Sequence, residues 1–337
     1  MINRKYIIAI ETSCDETSVA ILENGEKLLS NVVSSQIDFH KEYGGVMPEL
    51  ASRLHVEKIT LIIEKALSEA KIGYDDLTLI GVTKGPGLVG ALHVGIQAAK
   101  ALSIAKNIPI IGVNHMVAHI YANEYVEKIN YPSLALVVSG GHSEFVYMKK
   151  KNNFQVIGET LDDAVGEAYD KVARILGLGY PGGPIIDSLA KKGEAVYTLP
   201  TPKSKGEYNF SYSGLKTAVL NLVNKLKQKK VEFRNEDIAA SFQKVAVAML
   251  VDNTLKVLED KKNIKHLILA GGVSANSYLR EQITSKVSKK HPNVKITIPP
   301  LWCCTDNAAM VAMATYHNKG VKEKINFGAD PNLNFKN

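Results

Sequence analysis

His115 and His119 stand four residues apart in the run His115-Met116-Val117-Ala118-His119. On a helix that spacing puts both imidazoles on one face, where a ring nitrogen of each can reach the same ion. The apolar pairs Met116/Val117 and Ile120/Tyr121 form a stripe beside them, and Asn114 is a good cap for the helix start. The positive end of the helix dipole favours neutral, metal-competent imidazole. The same run also fits two polar residues on the rim of a core helix, so the elements around it have to decide.

Residues 6–11 read as a buried strand, 17–22 as its hairpin partner and 27–33 as a third strand, with the polar turn Thr12-Ser13-Cys14-Asp15-Glu16 between the first two. Residues 48–71 are helical, with Leu50, Leu54, Ile59, Ile62 and Ile63 near one side and Gly73 as a stop. A strand at 79–83, the turn Gly85-Pro86-Gly87, a helix at 88–106 and a strand at 108–113 lead to the two histidines. From Ser133 the order repeats. Strands at 134–138, 144–148 and 154–159 are followed, after helices, by a strand at 266–270, a helix at 275–289, a strand at 294–298 and a last helix at 306–317.

Two successive units of three strands, each followed by alternating helices and strands, predict an internal duplication with mixed sheets. The first lobe spans 1–131 and the second 132–337, the boundary falling at Asn130-Tyr131-Pro132. Helices at 164–176, 184–192, 214–229 and 237–258 interrupt the second half. They form an insertion over about 161–260, roughly a hundred residues, which is enough for a helical lid.

This duplicated α/β pattern resembles the actin, hexokinase and heat-shock ATPase superfamily, which implies two lobes around a central cleft with two hairpin turns facing a nucleotide. Those turns are Thr12 to Glu16 and Ser139-Gly140-Gly141-His142, whose amides and polar side chains suit phosphate or a phosphate-bound ion. Gly271-Gly272-Val273-Ser274-Ala275-Asn276 adds a glycine turn that lets backbone approach a flat ligand and opens a helix. His115 follows the last strand of the first half and Asp306 the last strand of the second, so pseudo-symmetry sets the two helix starts opposite each other. Asp306, at a helix N-terminus that favours its ionised form, could close a two-histidine, one-carboxylate site. Such a site keeps open positions and suits iron or zinc about equally.

Bulk properties narrow the classes. The chain has 337 residues, of which 45% are hydrophobic, so it is long enough for two domains with substantial cores. The apolar run ending at Glu11 is too short for a secretory core or a membrane span, which predicts a cytoplasmic protein without a leader. Cys14 and the pair Cys303-Cys304 offer neither a disulfide framework nor Cys-x-x-Cys ligand spacing. A formal charge of +7 and a pI near 9.0 are compatible with a polyanionic partner, and lysines gather at Lys149-Lys150-Lys151, Lys225 to Lys230 and Lys286 to Lys290. Solvated lysine-rich helix faces would look the same.

The runs Ile10-Glu11-Thr12-Ser13-Cys14-Asp15-Glu16-Thr17, His115 to His119, Val138-Ser139-Gly140-Gly141-His142, Gly166-Glu167-Ala168-Tyr169-Asp170-Lys171, Tyr180-Pro181-Gly182-Gly183-Pro184, Ser211-Tyr212-Ser213-Gly214-Leu215-Lys216-Thr217, Gly271 to Asn276 and Cys304-Thr305-Asp306-Asn307-Ala308 cover nearly the whole chain. Together they resemble the tRNA N6-adenosine threonylcarbamoyltransferase family in its bacterial form, TsaD. The resemblance implies transfer of a threonylcarbamoyl group from threonylcarbamoyl-AMP to the exocyclic amine of the adenosine beside a tRNA anticodon. It implies metal ligation by His115, His119 and Asp306, with the adenylate, or ATP with magnesium, held by Val138, Ser139, Gly140, Gly141, His142, Asp170, Gly183, Asp187 and Asn276. Glu11, Asp15 and Lys84 are the candidates for a catalytic base. Implied partners are tRNA, a TsaB-like paralogue meeting the first lobe through the 48–71 helix, a TsaE-like ATPase, and a TsaC-type enzyme that makes the adenylate; no membrane is involved.

Readings from other classes are a metal-dependent peptidase, an ATP-dependent small-molecule kinase and a non-catalytic ATP-binding scaffold. The peptidase reading meets one chemical objection. A zincin helix carries Glu as general base directly after the first His, and Met116 cannot do that work.

Overall fold

A computed structural model describes residues 4–201, 205–320 and 325–335. The chain forms two compact units, one comprising Met1–Lys128 with Leu301–Asn337 and the other Ile129–Pro300.

The first unit is built on β1 (Tyr6–Glu11), β2 (Glu16–Glu23), β3 (Lys27–Ser35), β4 (Leu77–Gly85) and β5 (Ile110–Asn114), in the order β3-β2-β1-β4-β5. β1, β2 and β3 are antiparallel hairpin neighbours, while β4 pairs parallel to β1 and to β5. The parallel pairs need crossovers, which α1 (Ile37–His40) with α2 (Pro48–Ala70), and then α3 (Val89–Lys106), supply. α4 (His115–Tyr121) follows β5 directly. Strand alternation sends Ile8, Ile10, Ile80 and Val82 into one core with Ile59, Ile62, Ile63, Leu92 and Ile96 of α2 and α3.

The second unit repeats this order. β6 (Ser133–Val138), β7 (Ser143–Met148), β8 (Phe154–Glu159), β9 (His266–Ala270) and β10 (Lys295–Thr297) lie as β10-β9-β6-β7-β8, again with two antiparallel and two parallel pairs. The expected duplication is therefore present strand for strand. Between β8 and β9 come the inserted helices α5 (Val165–Ile175), α6 (Gly182–Ala190), α7 (Ser213–Gln228) and α8 (Asn235–Asp260); α9 (Ser277–Lys290) joins β9 to β10. Their shared core includes Tyr169, Phe210, Tyr212 and Phe242, with Tyr169 and Phe242 edge to face at 5.0 Å.

The end of the chain departs from the expected second lobe over 132–337. α10 (Leu301–Cys304) and α11 (Ala308–Asn318) belong to the first unit. α11 lies on the sheet face opposite α2 and α3, and small residues on both sides permit the approach. Gly81 faces Thr315, whose side chain occupies the space a Cβ would need, and Ala308, Ala309, Ala312 and Ala314 are fully buried. The result bears on the site, because Asp306 arrives beside α4 within one unit. It does not approach from the opposite lobe, as pseudo-symmetry suggested. Two four-residue helices, α1 and α10, went unread because one turn shows no periodicity. Among the described residues no helix is long and apolar enough to cross a membrane.

Candidate functional site

α4 begins where Asn114 stops being strand. Its Oδ1 accepts the backbone N–H groups of Met116 at 2.9 Å and Val117 at 3.1 Å, satisfying two of the donors that a helix start leaves free. Every residue of the helix is buried. His115 and His119 meet nearly perpendicular, ring centroids 4.7 Å apart. His115 Nε2 lies 3.4 Å and His119 Nε2 3.1 Å from the same oxygen, Asp306 Oδ1. One donor atom from each of the three residues falls within 4.8 Å of the others. Donors bound tetrahedrally at ~2.0–2.1 Å stand about 3.3 Å from one another, so the N···O separations already match a coordination edge.

Asp306 is free to point at the histidines because it does not cap a helix. The expected helix start at Asp306 is displaced, and Asn307 is the cap. Asn307 Oδ1 accepts the Met310 N–H at 3.2 Å while its Nδ2 donates to the Thr305 carbonyl at 2.8 Å. The neighbouring asparagine thus carries the helix and the aspartate is left to the site.

Glu11 ends β1 and is fully buried. Its Oε1 accepts the Ser13 N–H at 2.5 Å; its Oε2 accepts the Thr83 hydroxyl at 2.6 Å and lies 3.1 Å from His115 Nδ1. Ser13 Oγ is 3.2 Å from the same nitrogen. With both oxygens engaged, Glu11 orients His115 and raises its basicity, the arrangement common behind metal-bound imidazoles. Three contacts thus commit the carboxylate to holding the site. Asp15, with 8% of its surface exposed, uses its carbonyl to accept the Gln36 N–H at 2.9 Å. Lys84 has its ammonium 5.8 Å from the Phe327 ring centroid, and its carbonyl accepts the Asp330 N–H.

Burial disfavours charge on all three groups, and pairing overrides it. Asp306 and Glu11 hold the His115 imidazole well above its usual range, while His115 holds both carboxyls below theirs. The two adjacent carboxylates thus act on His115 against the helix dipole, whose partial positive charge favours the neutral ring. A metal ion would take the place of that proton. His119 Nδ1 is buried without a hydrogen-bond partner, and Met116 is 2% exposed. A zincin-type base is therefore absent from the place where that chemistry requires one.

The second unit holds the remaining expected residues. After Val138, the turn closes with the Ser139 N–H donating to the His142 carbonyl at 2.8 Å and the His142 N–H to Ser139 Oγ at 3.1 Å. Gly140, Gly141, Gly183 and Gly272 have nothing within 4 Å of where a Cβ would be, so these turns line open space. The adjacent glycines do the opposite. Gly166 packs on the Ser139 carbonyl, and Gly271, at φ +87, on the Val138 carbonyl, so the three turns are stacked backbone to backbone. Asp170 accepts the Gly182 N–H at 2.7 Å and also bonds Gly183, pinning the start of α6 to α5. Asn276 caps α9 through the Leu279 N–H at 2.9 Å. Asp187 takes the Ser277 hydroxyl at 2.9 Å and amide at 3.2 Å. Asp170 and Asp187, read as ligand acceptors, thus spend oxygens on holding helix N-termini toward the open glycines.

Sequence reasoning missed Thr83 and Asn307. Glu11 did carry a signal, being an acid that terminates an unbroken apolar run. Nothing local marked the other two.

Fold and site define an α/β protein of the duplicated actin-like class with a His-His-Asp cluster fit for one metal ion. Solved structures of low sequence identity share the fold. HypF from T. kodakarensis superposes with TM-score 0.65 over 94% of this chain and 48% of its own, at 13% identity. The activator of the 2-hydroxyisocaproyl-CoA dehydratase from Clostridium difficile, a structure with bound ADPNP, gives 0.51 over 95% and 99%, at 14% identity. Sequence is more specific. The family model described as TsaD: tRNA N6-adenosine threonylcarbamoyltransferase matches residues 27–313. Proteins of that name from Bacillus licheniformis and Bacillus subtilis are each 53% identical, over 97% of this chain and 96% and 95% of theirs. The chain belongs to the tRNA N6-adenosine threonylcarbamoyltransferase family.

Proposed function

We propose that this chain transfers the threonylcarbamoyl group of threonylcarbamoyl-AMP to the exocyclic amine of the adenosine beside the anticodon, in tRNAs reading codons that begin with A, and releases AMP. Family membership across nearly the whole chain carries the reading. The reaction's demands agree with it. An acyl adenylate already has a good leaving group, so the protein must chiefly orient the amine and stabilise developing oxyanion charge.

His115, His119 and Asp306 would hold one divalent ion, with Glu11 fixing the ring of His115. Such an ion, iron or zinc by its donor set, would supply Lewis acidity toward substrate oxygens. The open glycines at 140, 141, 183 and 272, with the helix starts that Asp170, Asp187 and Asn276 secure, would receive the adenylate, or ATP with magnesium. tRNA would be met by exposed lysines. Lys225, Lys227, Lys229 and Lys230 are exposed at the end of α7, and among the described residues none is ion-paired, whereas Lys286 and Lys290 pair with Asp252 and Glu259 of α8.

A TsaB-like paralogue would dock on the first unit, where Val56 and Leu61 of α2 and Phe39 and Tyr43 before it are exposed. A TsaE-like ATPase and a TsaC-type adenylate synthase complete the set, and the cytoplasm is the compartment the reading implies. Turnover at equal rates with and without the paralogue and the ATPase would remove the partner claim. The central test is incubation with threonylcarbamoyl-AMP and unmodified tRNA, followed by nucleoside analysis. Threonylcarbamoyladenosine and AMP appearing together support the transfer, and AMP release indifferent to tRNA refutes it.

A further inference from the structure

Gln243 lies in the middle of α8, a buried amide with 4% of its surface exposed and no part in any contact named above. Its hydrogen bonds have only one consistent polarity. Asn276 commits Oδ1 to capping α9, so its Nδ2 must be the group that donates to Gln243 Oε1, at 2.8 Å. The Tyr169 hydroxyl donates to the same oxygen at 3.2 Å. Gln243 Nε2 is then turned to Asp187 Oδ1 at 3.2 Å, and an ionised carboxylate can only accept. Asp187 in turn accepts both donors of Ser277, the residue next to Asn276. The bonds close a ring, Asn276 to Gln243 to Asp187 to Ser277, that ties α5, α6 and α9 to one side chain of α8.

We infer that Gln243 is a positioning residue for adenylate binding, holding Asp187 of α6 and Asn276, and with them the N-terminus of α9, in the arrangement that receives the nucleotide. This rests on the adenylate site proposed above. The amide offers an acceptor to Asn276 and a donor to Asp187 at once. A leucine offers neither. A glutamate keeps the shape and the acceptor but sets a second carboxylate against Asp187.

The test uses the reconstituted complex with tRNA and threonylcarbamoyl-AMP, together with calorimetric titration of the full-length chain with AMP. Gln243→Glu and Gln243→Leu should raise KM for the adenylate and Kd for AMP by about tenfold or more, as loss of a hydrogen bond to a charged group does. kcat should stay within about twofold and KM for tRNA unchanged, because the lost bonds touch neither the His-His-Asp cluster nor the basic surface. Asp163→Asn, which loosens Lys171 and Lys216 in the same unit without touching the ring, serves as the control for general destabilisation and should leave KM for the adenylate alone. If Gln243→Leu does not fold, the near-isosteric Gln243→Glu decides. Unchanged KM and Kd in a folded Gln243→Glu protein overturn the inference, as does a fall in kcat alone in proportion to folded protein. Failure of the wild-type complex to release AMP on adding tRNA would instead sink the transferase reading, and AMP binding by the wild-type and variant chains would still judge Gln243.

Discussion

Glu11 Oε2 lies 3.1 Å from Nδ1 of His115, so the ring reaches Asp306 with its other nitrogen and cannot rotate away without abandoning a buried carboxylate. A fully buried acid beside a half-satisfied cation would be costly, and the pairing keeps both in place. Glu11→Gln preserves the shape and removes the charge. It should weaken metal binding roughly 10–100-fold, as loss of an orienting carboxylate typically does, with ligands intact. Competition against a graded series of chelators measures this, and unchanged affinity would mean that Glu11 serves only the fold.

The proposed ligand set, His115, His119 and Asp306, has no spare. His119→Ala and Asp306→Asn should each lower metal content well below one ion per chain, read by elemental analysis after dialysis. Full occupancy in both variants would place the ion elsewhere. Adding metal to the wild-type apo protein should also raise its melting temperature, since an ion that binds only the folded chain stabilises it.

Asn307 offers a test that leaves the ligands untouched. Asn307→Ala removes the cap of α11 at a cost of about 1 kcal/mol and releases the bond that keeps the Thr305 carbonyl in place beside Asp306. Both melting temperature and metal affinity should fall. Asn307→Asp retains the cap acceptor but sets a buried carboxylate oxygen against the Thr305 carbonyl, so it should not restore the stability. Full recovery in Asn307→Asp would show that the cap alone matters.

Glu144 sets a pH dependence. Burial, and then Glu159 beside it on β8, push its carboxyl up to about 7. Between its unfolded value and about 7 the folded chain holds a proton that the unfolded chain has lost, so stability falls as pH rises through that window. Glu144→Gln abolishes the dependence. The variant should melt higher than wild type at pH 8, by roughly 2–4 °C for each kcal/mol relieved, and level with it near pH 4. An equal difference at both pH values would count against the titration.

Charge reversal at Lys227, Lys229 and Lys230 should weaken tRNA binding while AMP affinity stays nearly constant. Each lost phosphate contact should flatten the dependence of affinity on salt, with little change in which base is accepted. Gel-shift titrations at two ionic strengths read both effects. Unaltered binding at low salt would move the basic surface to another face or to a partner.

Much of this was legible in the residues alone because it depends on short-range periodicity. Alternating apolar residues and glycine turns mark the strands, and their recurrence after Ser133 reveals the duplication that the two identical sheet orders display. Four-residue spacing alone suffices to bring His115 and His119 to one face, since a helix permits no other outcome. What the tertiary structure decided is which distant groups complete that face. Asp306 reaches the histidines because the last helix leaves the second unit and finds a sheet surface of small residues around Gly81. Glu11 proves to be an orienting group because Thr83 and Ser13 claim its oxygens, and Gln243 sits between Asp187 and Asn276 because four helices converge there. Apart from the local bond between Ser13 and Glu11, these pairings join residues whose separation along the chain says nothing of their distance, and only the packing of complementary surfaces, with the demand that every buried polar group find a partner, brings them together.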